Sequence, residues 1–277
     1  MKKNGIFRLI WRIIYPILIY FTLTVIVQVI ICNILAIQIS HNNVGMTAEQ
    51  LTYILNDKVK ESAMMINVAA GIVIIPVLFI ILKNDKKYAK DREKKNVKRI
   101  WYIYPCLAGM CMCIAFNWMI DRSRIIDVFP GFNEVAESLY GGKLIFEILA
   151  MVVVAPILEE TLFRGIIYGR LKESINTKIA MIVSALIFGI IHGNAVQGIY
   201  AFAIGLCLAY IYEKYGHLIA AVIFHASANL VSVIMSESEP VIRAMSKAVI
   251  YNVMGIISLM AGMIMLILVK RHVNTDV

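Results

Sequence analysis

Glu159 and Glu160 stand side by side, with Arg164 four residues further on, inside a long apolar run. Two more spaced pairs follow in apolar surroundings, Phe188-x-x-x-His192 and His225-x-x-x-Asn229. Carboxylates, imidazoles and a carboxamide are the groups hydrolysis needs. A carboxylate can take a proton from water, and N–H donors can hold the oxyanion that forms when water adds to a carbonyl. Ionisable side chains at bilayer depth are costly, so they usually face a cavity, pair with one another and mark function. Glu160 and Arg164 are spaced i, i+4 on a helix, so they share a face and can pair. Glu159 points about 100° away from them. One carboxylate can then be anchored by the arginine while the other works, and two carboxylates this close do not ionise independently.

Each group also has a plainer reading. Glu160–Arg164 can be an ion pair joining helices, although one arginine needs only one partner, which leaves Glu159 over. His225 and Asn229 share a face and can hold an oxyanion, or can be ordinary interhelical hydrogen-bonding groups. His192 lies in Gly189-Ile-Ile-His192-Gly193, a small-xxx-small spacing that allows close helix approach, and a packed histidine is the alternative there. Phe188 reads as packing that shapes the wall of a site. Pro156, three residues before Glu159, removes a backbone donor and predicts a kink that opens space beside the carboxylates. Asn194 and Gln197 adjoin His192 and are weaker candidates for the same cavity. Glu147 is expected to snorkel towards water, and His41 and His272 to face solvent.

These groups must be held by elements that suit an apolar chain. Of 277 residues, 60% are hydrophobic and 16% charged, with a mean hydropathy of +0.78. Soluble domains are nearer 45–50% apolar, so the expected fold class is all-α, a polytopic membrane bundle of about eight transmembrane helices. The spans are expected at about 9–39, 62–82, 100–120, 143–166, 178–194, 196–213, 217–235 and 249–269. The first apolar run exceeds the ~7–15 residues of a signal-peptide core and shows no small-residue cleavage site, so it reads as a retained, tilted or extended helix. Three regions are expected: N-terminal helices over 1–142 with a basic loop at 83–99, a catalytic core over 143–235, and a final helix and tail over 236–277. Met46–Glu61 reads as a short interfacial helix and Phe129-Pro130-Gly131 as a turn. The segment 84–99 reads as a solvated cytoplasmic loop or helix extension, with anionic-lipid binding a weaker option.

The net charge of +9 might suggest nucleic acid, but the basic residues sit in short loops between apolar runs. Twenty of the 27 Lys and Arg fall on one side of the alternating spans; Lys58, Lys60, Arg122, Arg124, Lys143, Arg243 and Lys247 are on the other. The positive-inside rule then puts both termini in the cytoplasm. Counted along helix axes from Arg170–Lys172, Lys178 and Gly216, the reactive groups lie about 13–21 Å deep. Glu160, His192, His225 and Asn229 thus share a layer near mid-bilayer, expected to be reachable from the membrane or the cytoplasmic side. Cys32, Cys106, Cys111, Cys113 and Cys207 all lie in apolar runs and read as packing residues. There is no His-Glu-x-x-His zinc helix, no Gly-x-Ser nucleophile motif of the rhomboid type, no Gly-x-Gly-Asp motif and no phosphate-binding glycine loop.

At Glu159-Glu160-Thr-Leu-Phe-Arg164, Phe188-Gly-Ile-Ile-His192 and His225-Ala-Ser-Ala-Asn229 the chain resembles the CAAX-protease and bacteriocin-processing (CPBP, or Abi) family, which includes the type II CAAX prenyl endopeptidases. Phe163-Arg164-Gly165 and Tyr212-Glu-Lys-Tyr-Gly216 add to the likeness. It covers about residues 145–235, and no signature position departs from the pattern. The resemblance implies an intramembrane endopeptidase acting on a membrane-associated peptide or protein. It implies Glu159 as the base that activates water, His192 as a group that helps hold that water, His225 and Asn229 as oxyanion stabilisers, and Glu160 and Arg164 as supports. A metal-free site is the favoured expectation; the alternative is Zn2+ on Glu159, His192 and His225. A non-enzymatic bacteriocin-immunity or membrane interaction protein on the same scaffold is the rival reading, and a transporter relaying protons is a further one. Nucleic acid is not an expected partner. The Lys-, Asn- and Ile-rich composition suggests a bacterial plasma membrane as the location.

Overall fold

The computed structural model describes residues 3–88, 97–129 and 143–273, and every regular element among them is helical. The first helix, α1 (Lys3–Asn42), runs 40 residues without a break, about 60 Å at 1.5 Å per residue, or twice a ~30 Å hydrocarbon core. A short helix, α2 (Ala48–Glu61), packs back on α1. It starts at a capping box in which Thr47 and Gln50 satisfy each other's orphan backbone donors. Leu51, Ile54, Leu55 and Val59 form its half-buried stripe. Next come α3 (Ala63–Tyr88), a 3₁₀ turn (Arg99–Tyr102), α4 (Ile103–Ser123) and α5 (Ile125–Val128).

Five short stretches then run end to end as one helix, α6. They are α-helical at Leu144–Glu147, π-helical at Ile148–Val154, α-helical at Ala155–Glu160, π-helical at Thr161–Tyr168 and α-helical at Gly169–Lys172. The remaining helices are α7 (Thr177–Ile191), α8 (Ala195–Tyr215), α9 (Leu218–Glu237), α10 (Glu239–Met245) and α11 (Ala248–Val273). Gly216 ends α8 with φ +68°, a left-handed turn that glycine adopts without strain.

The chain is an all-α polytopic bundle. Among the described residues, six helices are long and apolar enough to cross a membrane: those at Gly5–Asn42, Ala63–Asp85, Arg99–Ser123, Ala195–Tyr215, Leu218–Glu237 and Ala248–His272. The other two expected spans differ for physical reasons. α7 has 15 residues, about 22 Å, short of a ~30 Å core. α6 is interrupted twice by π-helical turns.

Packing puts α6 at the centre. It touches α1, α3, α7, α8 and α9, while α4 lies between α9 and α11, and α7 pairs with α8. The α4–α9 seam is tight: a Cβ on Gly109 would stand 2.2 Å from the Phe224 carbonyl oxygen and 2.2 Å from Ser227 Oγ. Ser227 Oγ also donates to the Cys106 carbonyl across this seam at 2.9 Å. At the opposite end from α2, Arg170 of α6 is buried and ties three helices. It holds Asp85 of α3 through two bonds of 2.6 and 3.1 Å. It also donates to the Arg12 carbonyl and to the Tyr15 hydroxyl of α1.

Some expectations need correction. Glu147 does not snorkel; it is buried, because it lies on the face of α6 that packs against α3. His272 is not free in solvent, since its ring stacks on Trp101 at 4.4 Å and on Tyr104 at 5.3 Å. Of the basic segment, 84–88 continues α3, while 89–96 lies outside the described residues. So do Pro130 and Gly131 of the expected turn.

Candidate active site

The two π-helical stretches of α6 frame the carboxylates. Pro156 has no N–H to give the Val152 carbonyl, and its ring crowds that carbonyl. The backbone widens instead, so that the N–H of Ala155 reaches the Ala150 carbonyl five residues back. Such wide turns leave carbonyls short of partners, and neighbouring helices supply them. Asn229 Nδ2 of α9 donates to the Met151 carbonyl at 2.7 Å, and Ser184 Oγ of α7 donates to the Phe163 carbonyl at 3.1 Å. The expected kink at Pro156 is thus a π-helical widening with both sides braced. π-turns of this kind often occur at functional sites.

Between them, Glu159 and Glu160 have different surroundings. Glu160 is fully buried and bonded to Arg164 Nη1 at 3.0 Å. The same oxygen, Oε1, takes a hydrogen bond from His225 Nδ1 at 2.9 Å. Arg164 also donates to the Gly205 carbonyl of α8 at 3.2 Å, and its guanidinium lies 4.5 Å from the centre of the Phe188 ring. A buried arginine is tolerated only with such partners. Glu159 instead has its side chain 23% exposed, with Oε2 at 3.8 Å from His225 Nε2. His225 therefore stands between the two carboxylates, held by one and facing the other.

His192 closes α7, and its Nδ1 is 2.7 Å from the Phe188 carbonyl. A carbonyl can only accept, so Nδ1 carries the proton and Nε2 is left as the acceptor. Phe188 packs edge-on against both His192 and His225, with centroids 4.8 and 6.0 Å away. The phenyl ring fixes the orientation of both imidazoles and of the guanidinium, which is a larger part than a simple wall.

Glu159, Phe188, His192, His225 and Asn229 line one cavity of about 330 Å³. Glu160 and Arg164 lie just behind it. Gln197 also lines it, whereas Asn194 caps α8, its Oδ1 accepting from the backbone N–H groups of Val196 and Gln197. Tyr20 and Thr24 of α1, Asn67 of α3, Tyr200 of α8 and Ser232 of α9 line it too. No motif pointed to them; single polar residues in apolar helices were the available signal. Among the described residues, no three His, Cys, Asp or Glu side chains converge closely enough to hold a metal ion in this arrangement.

Residues 141–231 match the family described as "Type II CAAX prenyl endopeptidase Rce1-like". All seven signature positions, from Glu159 to Asn229, fall within that segment. The likeness to that family thus covers about a third of the chain, the part that holds the candidate site. It is similar to "Putative membrane peptidase YdiL" of Bacillus subtilis (strain 168), 36% identical over 94 residues, which are 34% of this chain and 38% of that protein. It is also similar to "UPF0177 protein YxdF" of Lactococcus lactis subsp. lactis (strain IL1403), 22% identical over 163 residues, 57% of this chain and 89% of that protein. The match to YdiL thus spans well under half of that relative's length. No solved structure matches the chain.

Proposed function

We propose that the protein is an intramembrane endopeptidase that hydrolyses a peptide bond with water activated by Glu159, without a metal. The observation that carries this reading is the meeting of Glu159, His192, His225 and Asn229 from three helices on one cavity, with His192, His225 and Asn229 each held by a further hydrogen bond. The Glu159 carboxylate takes a proton from water, while His192 Nε2 accepts the water's other O–H. The resulting hydroxide adds to the carbonyl carbon. The oxygen, now negative, is held by Asn229, whose amide has a second N–H beyond the one given to Met151. His225 Nε2–H is the other donor, in the doubly protonated ring, since Nδ1–H is committed to Glu160. Glu159 then returns its proton to the leaving nitrogen as the C–N bond breaks, releasing an acid and an amine.

Purified protein in liposomes, assayed on a fluorogenic membrane-peptide library, tests the reading. Glu159→Gln is expected to abolish cleavage while leaving the thermal melt unchanged, and a chelator is expected to leave the native rate intact. Full activity in the variant overturns the role of Glu159. Loss with chelator points instead to a metal on Glu159, His192 and His225. Cleavage by neither form favours the immunity or interaction reading.

A further inference from the structure

The cavity is not centred in the bundle. On α3 it is lined from Met64 to Ile74, on α6 from Ala150 to Glu159, and on α8 from Gln197 to Ile204. These are the first halves of helices that begin at Ala63, Leu144 and Ala195. On α7 it is lined near the end, at Phe188 and His192, and on α9 from His225 in mid-helix to Ser232. Tyr20 and Thr24 of α1 complete the lining, and from the level of Glu159 and His225 the cavity extends into the half of the bundle towards α2. The other half is closed. Leu78, Leu162, Ile166, Leu208 and Ile211 are fully buried there in one apolar layer, and beneath that layer lie the Arg170–Asp85 and Lys172–Glu213 ion pairs. That closed end is also the basic one, with Arg12, Lys83, Arg99, Lys178, Lys214 and Lys270. A concentration of Lys and Arg in short loops marks the cytoplasmic face.

We propose that the site is reached from the extracytoplasmic side, so that its substrate is a peptide segment presented outside the cytoplasm and entering the outer half of the bilayer. This rests on the peptidase reading for the word substrate, but the direction of access rests on the helices and the charge alone. It reverses the cytoplasmic approach that depth along the helices suggested. Counting residues from the basic end gives the depth of Glu159 but not which side of it is filled. The polar groups beyond Glu159 are amides and hydroxyls, such as Asn67, Gln197 and Ser232. They suit the backbone of an extended segment rather than a charged headgroup.

Single cysteines read the direction without needing cleavage. Asn67→Cys and Ser232→Cys would be placed in a parent with the five native cysteines replaced by alanine, with Lys60→Cys and Lys178→Cys as markers of the two faces. A charged, membrane-impermeant methanethiosulfonate is then added to right-side-out or to inverted vesicles. The expected result is that positions 60, 67 and 232 react in right-side-out vesicles and lose that reaction in inverted ones, with position 178 the reverse. Reaction of 67 and 232 only from the side of 178, or from neither side, overturns the proposal, as does position 60 reacting with the cytoplasmic marker. The same two cysteines in the unaltered parent, read above its background, cover the case of a cysteine-free chain that does not fold. Failure of the peptidase reading would appear in the Glu159→Gln assay and leave these patterns unchanged.

Discussion

A carboxylate fully out of water survives only if its charge is met, and Glu160 meets two partners through one oxygen. Replacing it by alanine strands the Arg164 guanidinium at zero exposure. A loss of about 3–5 kcal/mol is expected, read as a lower melting temperature in detergent together with lost activity. Glu159→Gln, by contrast, is expected to lose activity alone. If both variants melt like the native protein, the division between a bracing and a working carboxylate is wrong. The signature residues were legible because helical spacing fixes which side chains share a face. What spacing could not give is that Glu160 turns to His225 across 65 residues, or that Tyr20, Asn67 and Ser232 reach the same cavity. Contacts between helices have no period in the sequence.

At the scale of the element, α6 depends on its neighbours for backbone partners. Ser184→Ala removes the bond to the Phe163 carbonyl, with an expected cost of about 1 kcal/mol and retained cleavage, since Ser184 stays outside the cavity. Asn229→Ala frees the Met151 carbonyl and removes a donor to the oxyanion. It is expected to cost about 1–3 kcal/mol and to lose cleavage as well. Equal effects of the two on activity would mean that Asn229 only braces the π-turn. At the α4–α9 seam, Gly109→Ala is expected to lower the melting temperature, because its methyl meets backbone 2.2 Å away and neither helix can yield locally. An unchanged melt would mean that the seam is looser than these contacts describe. Pro156 announced a disturbance in α6. Its form did not follow from the proline alone, since the widening depends on an amide and a hydroxyl from helices that lie later in the chain.

For the whole molecule, composition and hydropathy were enough for an all-α membrane bundle, because burying so apolar a chain in lipid leaves only helices or closed barrels. The number of crossings and the side from which the site is reached required the packing of side chains. The Arg170 knot sets an order for making the protein. Arg12 and Arg170 are 158 residues apart, so at ~5–20 residues per second a ribosome needs about 8–30 s to deliver the second after the first. By then α1 and α3 are already in place, with Tyr15 and Asp85 waiting. The partners of Arg164 and Glu160, the Gly205 carbonyl and His225, have still to be synthesised. A helix bearing three glutamates, two arginines and a lysine is a poor passenger for lipid by itself. During biogenesis, α6 is then expected to linger at the insertion machinery until α8 and α9 emerge, and a chain cut after α7 is expected to be a substrate for quality-control proteolysis rather than a stable half-protein.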